Sequence, residues 1–185
     1  MKPILRLGVA ILLLTVAAAC DDIADIAPPP QALKDDAVGA YCGMILVEHA
    51  GPKGQVFEKG RKDPLWFTAV RDAIAYTRLP GESQHTVGFY VHDMALATSW
   101  EEPQRDGIWI AADSAFYVVG SDKRGGMGML EMVPFGTRDA ADAFAAEHGG
   151  KVMKLDEIPD SLLLPESGSA GETVAENPRA MGNHK

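Results

Sequence analysis

Cys42 and Met44 are separated by one glycine, and Met127 and Met129 by another, so sulfur side chains recur at a spacing of two. In an extended segment side chains alternate faces. Residues two apart then point the same way, and Cys42 with Met44 would present a thiolate and a thioether together. Both are soft donors. Outside the cytoplasm they select Cu(I) over harder ions such as Mg²⁺ or Ca²⁺, and Cu(I) accepts the low coordination numbers that two or three such ligands fill. Methionine also fills irregular gaps in cores, which is the plainer reading of Met127 and Met129 taken alone. Met127, however, stands among Gly125, Gly126 and Gly128, a setting in which another segment or a ligand approaches closely and a core anchor is poorly placed.

The case for a free thiol at Cys42 begins at the N-terminus. Lys2 and Arg6 supply positive charge, Leu7 to Val16 is an apolar run, and Ala17-Ala18-Ala19 precedes Cys20. This pattern reads as an export signal over residues 1–19, too short to favour a membrane-spanning helix. The small residues before Cys20 resemble the lipobox of bacterial lipoproteins, with Ala17 where Leu is usual, and this implies acylation of Cys20. Acylation consumes one of the two cysteines and leaves Cys42 without an intrachain partner. An unpaired thiol in an oxidising compartment is a liability unless buried, metal-bound or reactive. The 17 Lys and Arg residues, two of them in the leader, face 26 Asp and Glu, a balance that does not suit nucleic acid. Residues 20–37, acidic and then Pro-rich, read as the lipidated cysteine and a flexible tether. Residues 157–185 read as a disordered tail by their Gly, Ser, Ala, Asn and Glu content. Its Met181 and His184 read as solvated rather than metal-binding.

Between these ends Gly, Pro and Asp cut the chain into short elements. Met44 to Val47 and Gln55 to Phe57 are predicted strands around Gly51-Pro52-Lys53-Gly54. Asp63-Pro64 has the form of a helix start, with Trp66, Ala69, Val70, Ala73 and Thr77 at helical spacing and an end near Leu79-Pro80-Gly81. His85 to Val91 is a predicted strand. The second half repeats the order: strands at Phe116 to Val119 and Leu130 to Val133 around Gly125-Gly126, a helix from Arg138 to Glu147 capped by Thr137 and stopped by Gly149-Gly150, and a strand at Val152 to Leu155. The expected architecture is α+β, two tandem ββαβ units over residues 38–104 and 105–156.

Cys42-Gly43-Met44 is followed by Glu48-His49-Ala50-Gly51-Pro52-Lys53-Gly54-Gln55. Gly126-Met127-Gly128 then precedes Val133-Pro134-Phe135, an Ala-rich helix and Gly149-Gly150. Taken in this order from about Val38 to Leu155, these motifs resemble the NosL family of copper-binding accessory lipoproteins of nitrous oxide reductase maturation. The resemblance implies a lipid-anchored periplasmic protein that binds one Cu(I), and Asp21 directly after Cys20 resembles an inner-membrane retention signal. The protein would deliver the ion towards the copper-sulfide centre of nitrous oxide reductase beside an ABC-type maturation transporter complex. It also implies a topology like that of organomercurial lyase. By position the ligands would be Cys42, Met44 and Met127, with Met129 and His49 as second-tier candidates. Gly126 stands where many relatives have Pro, and Met129 and Met132 are additional thioethers in that region.

Other residues read more plainly. His85 and His92 flank a predicted strand, and His148 ends a helix where a cation suits the dipole; all three read as structural. Trp66, Phe67, Trp109 and Phe116 read as core. No acidic pair has a spacing that suggests acid/base work, and Cys42 lacks a Cys-His signature, so an enzyme is not expected. Organomercurial lyase activity is disfavoured in particular, since that family uses a cysteine pair that the mature chain lacks. The rival reading is an adaptor lipoprotein that serves a transporter complex without metal and loses nothing when Cys42 becomes Ser.

Overall fold

The computed structural model describes residues 27–82, 85–126 and 128–163. The leader, Cys20, Met127 and the chain from residue 164 lie outside the described residues. The fold is mixed α+β, with two small sheets and two helices. In chain order the elements are β1 (Gly54–Glu58), β2 (Leu65–Phe67), α1 (Val70–Arg78), β3 (Thr86–His92), β4 (Trp109–Ala111), β5 (Phe116–Arg124), β6 (Leu130–Phe135), α2 (Arg138–His148) and β7 (Lys151–Met153). The first sheet runs β2-β1-β3-β4 and the second β6-β5-β7, with every pairing antiparallel. In each sheet the first strand of the unit lies between the second and the third.

Local signals fixed the second half well. The Thr137 hydroxyl accepts from Ala140 N at 3.3 Å and starts α2, and Gly149, at φ 73°, ends it. The first half departs from expectation in two places. Met44 to Val47 is not a strand, because Leu46–Glu48 forms a single turn of 3-10 helix. Asp63-Pro64 does not start a helix either. Leu65–Phe67 is extended and pairs with β1, Phe67 opposite Gly54 and Leu65 opposite Val56, and α1 begins only at Val70. Its N-cap is Ala69, which offers no side-chain acceptor. The β-favouring Leu-Trp-Phe run and a partner strand prevail over an N-terminal motif worth about 1 kcal/mol.

One apolar core joins the two sheets. Val70 and Ile74 of α1 and Val91 of β3 pack with Tyr117 and Val119 of β5, Met132 of β6, and Ile158 and Leu163 beyond β7. This packing moves both expected boundaries. Within the predicted tether, Leu33 and Ala37 are buried, Leu33 N donates to Arg105 O at 2.8 Å, and Tyr90 OH donates to Pro28 O at 2.7 Å. Within the predicted tail, Arg78 donates to Ile158 O at 2.5 Å and to Asp160 at 2.7 Å, while Arg71 holds Leu163 O at 3.0 Å. A few apolar anchors at Leu33, Ile158 and Leu163 outweigh the polar composition around them. Among the described residues no helix is long and apolar enough to cross a membrane.

Candidate metal centre

Cys42 sits on a short reversal of the chain at the edge of the first sheet. Val38 and Ile45 pair antiparallel, and Gly39 bridges to Trp66 of β2 in parallel. Gly39 N donates to Met44 O at 2.9 Å, Gly43 N to Gly39 O at 2.9 Å, and Ala40 N to Trp66 O at 2.7 Å. The segment between Gly39 and Met44 is therefore a turn, and Gly43 carries a φ of 66°. This corrects the expectation of an extended Cys42-Gly43-Met44. The strict alternation of an extended chain does not apply, and it is the turn that keeps thiol and thioether on one loop tip. Cys42 and Met44 are both half-buried. Tyr41 pins the tip from outside, its ring edge-on to Phe67 at 5.4 Å and to Tyr76 at 6.0 Å.

Cys42 is a free thiol whose Sγ lies 3.6 Å from Thr68 Oγ1. Gly39 makes room for it, since a Cβ there would stand 2.5 Å from the sulfur. Thr68 also reaches the other predicted motif: a Cβ on Gly126 would meet His49 Cβ at 2.6 Å and Thr68 O at 3.2 Å. The Gly125-Gly126 turn thus lies against the residue that touches the thiol, and only glycine fits there. His49 fastens the same turn, its Nδ1 donating to Gly126 O at 3.1 Å. That bond leaves the lone pair on Nε2. The structure brings Cys42, Thr68, His49 and the residue immediately before Met127 into one neighbourhood; the side chain of Met127 itself lies outside the described residues.

Met129 takes another place. It is 53% exposed and lines an apolar cavity of about 450 Å³ with Met132 and Met153, which Cys42 does not line. His148 meets Asp122 at 3.3 Å at the end of α2, and His85 is exposed. Cys20 and the Met181 to His184 stretch lie outside the described residues.

Two buried charges brace this neighbourhood, and neither was marked in the sequence. Lys53 is buried, and its Nζ donates to the carbonyls of His49 at 2.7 Å, Ala50 at 3.0 Å and Gly51 at 2.6 Å. Burial pulls its pKa down to about 8 against the opposing field of Glu131. Glu131 Oε1 accepts from Arg71 N at 3.1 Å and Met132 N at 2.9 Å, and burial lifts its pKa to about 7. Lys53 falls inside the Gly51-Pro52-Lys53-Gly54 turn of the sequence, a place where lysine is ordinarily solvated, so composition gave no sign of its cage.

The donor set suits a soft monovalent ion. Among the described residues no three His, Cys, Asp or Glu side chains gather as a group that could hold a metal ion. Cys42 and Met44 offer a thiol and a thioether on one loop, and such sulfur donors favour soft ions.

Comparison with known proteins agrees with this chemistry. The family model described as NosL matches residues 30–163. A copper-binding lipoprotein NosL of Achromobacter cycloclastes is 43% identical over 183 residues, covering 98% of this chain and 94% of that protein. Another from Stutzerimonas stutzeri is 37% identical over 140 residues, 76% of this chain and 70% of that protein. Among solved structures, the crystal structure of the copper chaperone NosL from Shewanella denitrificans superposes with a TM-score of 0.66 at 34% identity, over 71% of this chain and 97% of that one.

Proposed function

Because the chain belongs to the NosL family, we infer that it is a copper-carrying lipoprotein that binds one Cu(I) as cargo through Cys42, Met44 and Met127. It is anchored through Cys20 on the periplasmic face of the inner membrane and supplies copper for the copper-sulfide centre of nitrous oxide reductase, beside an ABC-type transporter complex. The observation that carries this reading is the free Cys42 thiol on an edge loop, fastened through Thr68 and His49 to the turn that leads into Met127. The relatives' names, copper-binding lipoprotein and copper chaperone, support the same cargo. The strand orders of the two sheets support reading them as tandem ββαβ units of organomercurial-lyase-like topology.

A carrier must bind firmly and still release. Cys42 gives up its proton as copper arrives, so thiolate and ion neutralise each other. The thioethers of Met44 and Met127 add soft, uncharged contacts that an incoming thiolate or imidazole of an acceptor displaces one at a time. An edge position lets the acceptor reach the ion without opening the core. The test is maturation: cells carrying Cys42→Ser should produce nitrous oxide reductase lacking its copper-sulfide centre, with this protein present at normal level. Full maturation by the Cys42→Ser protein would replace the carrier reading with a metal-free adaptor.

A further inference from the structure

Thr68 lies between β2 and α1, one position before the N-cap of α1, where a hydroxyl is ordinarily drawn into capping the helix. Here it is not. The N-cap itself, Ala69, offers no side-chain acceptor, and the cap arrives from β6 instead, where Glu131 Oε1 accepts from Arg71 N at 3.1 Å. With that helix end supplied, the Thr68 hydroxyl is aimed at the Cys42 sulfur, 3.6 Å away, its only hydrogen-bond partner among the described residues. Thr68 is 2% exposed, so bulk water does not take that place. Its methyl fixes the aim. A Cβ on Gly39 would stand 3.4 Å from Thr68 Cγ2 and 2.5 Å from Cys42 Sγ, so methyl and sulfur share the room that Gly39 leaves open. A β-branched side chain held there has few χ1 choices.

In the metal-free protein either the thiol or the hydroxyl can donate. The proton of Cys42 passes to solvent as the sulfur–copper bond forms, and from then on the sulfur only accepts. We propose that Thr68 is a positioning residue for the cargo: its hydroxyl donates to the Cys42 sulfur while that sulfur holds copper, and so fixes which lone pair faces the ion. This rests on the carrier reading above, in which Cys42 is a copper ligand. The backbone of Thr68 serves the other half of the site, since a Cβ on Gly126 would meet Thr68 O at 3.2 Å, in the turn that leads into Met127. That carbonyl survives any change of side chain. The hydroxyl can therefore be tested alone.

Thr68→Val and Thr68→Ser in the full chain separate the donor from the methyl. Valine keeps the shape and loses the hydroxyl; serine keeps the hydroxyl and loses the methyl beside Gly39. Anaerobic Cu(I) titration against a calibrated chelator should place Thr68→Val at least ~10-fold below the parent in affinity, with Thr68→Ser close to the parent. The ultraviolet thiolate-to-copper absorption band should move to longer wavelength in Thr68→Val, because a sulfur lone pair without its hydrogen bond lies higher in energy, and should stay in place in Thr68→Ser. A residue that only packs would reverse the order, with valine binding like the parent and serine weakened. That order would overturn the proposal, as would equal affinities and an unmoved band in both variants. Should Thr68→Val not fold, Thr68→Ala beside Thr68→Ser gives the same contrast, since both lack the methyl and only serine carries the donor. Cys42→Ser in the same series keeps two failures apart. Tight binding lost in Cys42→Ser but untouched in Thr68→Val overturns the role of Thr68 alone, and tight binding retained in Cys42→Ser overturns the carrier reading together with it.

Discussion

At the scale of residues, the ligand assignment separates sulfur that binds from sulfur that packs. Met44→Leu and Met127→Leu should each weaken Cu(I) affinity while costing under about 1.5 kcal/mol of stability, because Met to Leu nearly conserves volume. Met129→Leu should weaken it less, since Met129 lies in the cavity with Met132 and Met153. Competition titration against a Cu(I) chelator, run beside chemical unfolding, checks both quantities for each variant. His92 offers a second residue-level test. Burial and the ammonium of Lys53 depress its folded pKa from the ordinary histidine value of 6.5 to about 3. The unfolded chain therefore binds more protons than the fold between those values. Stability should fall as pH drops from 6.5 towards 3, with a contribution approaching ~1.4 kcal/mol per pH unit from this one group. Glu131, raised to about 7, acts in the opposite sense above its ordinary value of 4.5, so the net acid loss should be steepest below pH 4.5. Denaturant unfolding of His92→Phe should show a shallower acid limb; an unchanged limb would mean that His92 is not held neutral.

At the scale of elements, the sequence showed what local chemistry decides and hid what distant pairing decides. α2 was legible because its cap, Thr137, and its stop, Gly149-Gly150, belong to the helix itself. β3 and β5 were legible from their β-branched and aromatic residues. The start of α1 was not, because Asp63-Pro64 imitates an N-terminus while the pairing of Leu65–Phe67 with β1 lies outside any local window. The site divides in the same way. Cys42 and Met44 were singled out by their spacing, and the extended strand expected there gives way to a turn set by the Val38–Ile45 pair and the Gly39–Trp66 bridge. Thr68, Lys53 and the burial of His92 carry no sequence mark, since each matters only through neighbours more than twenty residues away or through its burial. Lys53 tests the bracing of the His49 loop. Lys53→Met removes the donor to three carbonyls and should cost about 3 kcal/mol by leaving buried acceptors unpaired. Hydrogen exchange should rise along residues 49–51 in that variant, and the His49 to Gly126 bond should loosen with them. Unchanged exchange there would show that the loop stands without its cation.

At the scale of the whole molecule, one core spans both sheets, from Val70 and Val91 to Tyr117 and Leu163. The two units should therefore unfold together. Tyr and Trp fluorescence and far-UV circular dichroism should give coincident thermal transitions, and Cu(I) should raise the common midpoint because it binds the fold and not the equivalent unfolded geometry. Two separated transitions would contradict the shared core. The same architecture places a half-buried free thiol at the edge of the fold. The core lies between the sheets, and Cys42 rides on an edge loop secured by backbone bonds to Trp66 and an aromatic latch to Phe67.

The central claim is that the tightest Cu(I) on this protein depends on the Cys42 thiolate, and anaerobic Cu(I) titration of the parent protein and of Cys42→Ser, under competition from a calibrated chelator, tests it most directly. The expected result is one tight equivalent in the parent, weakening as pH falls because proton and copper compete for the same sulfur, and loss of that equivalent in a folded Cys42→Ser variant. A Cys42→Ser protein that binds the first Cu(I) as tightly as the parent, with no dependence on pH, would contradict the account.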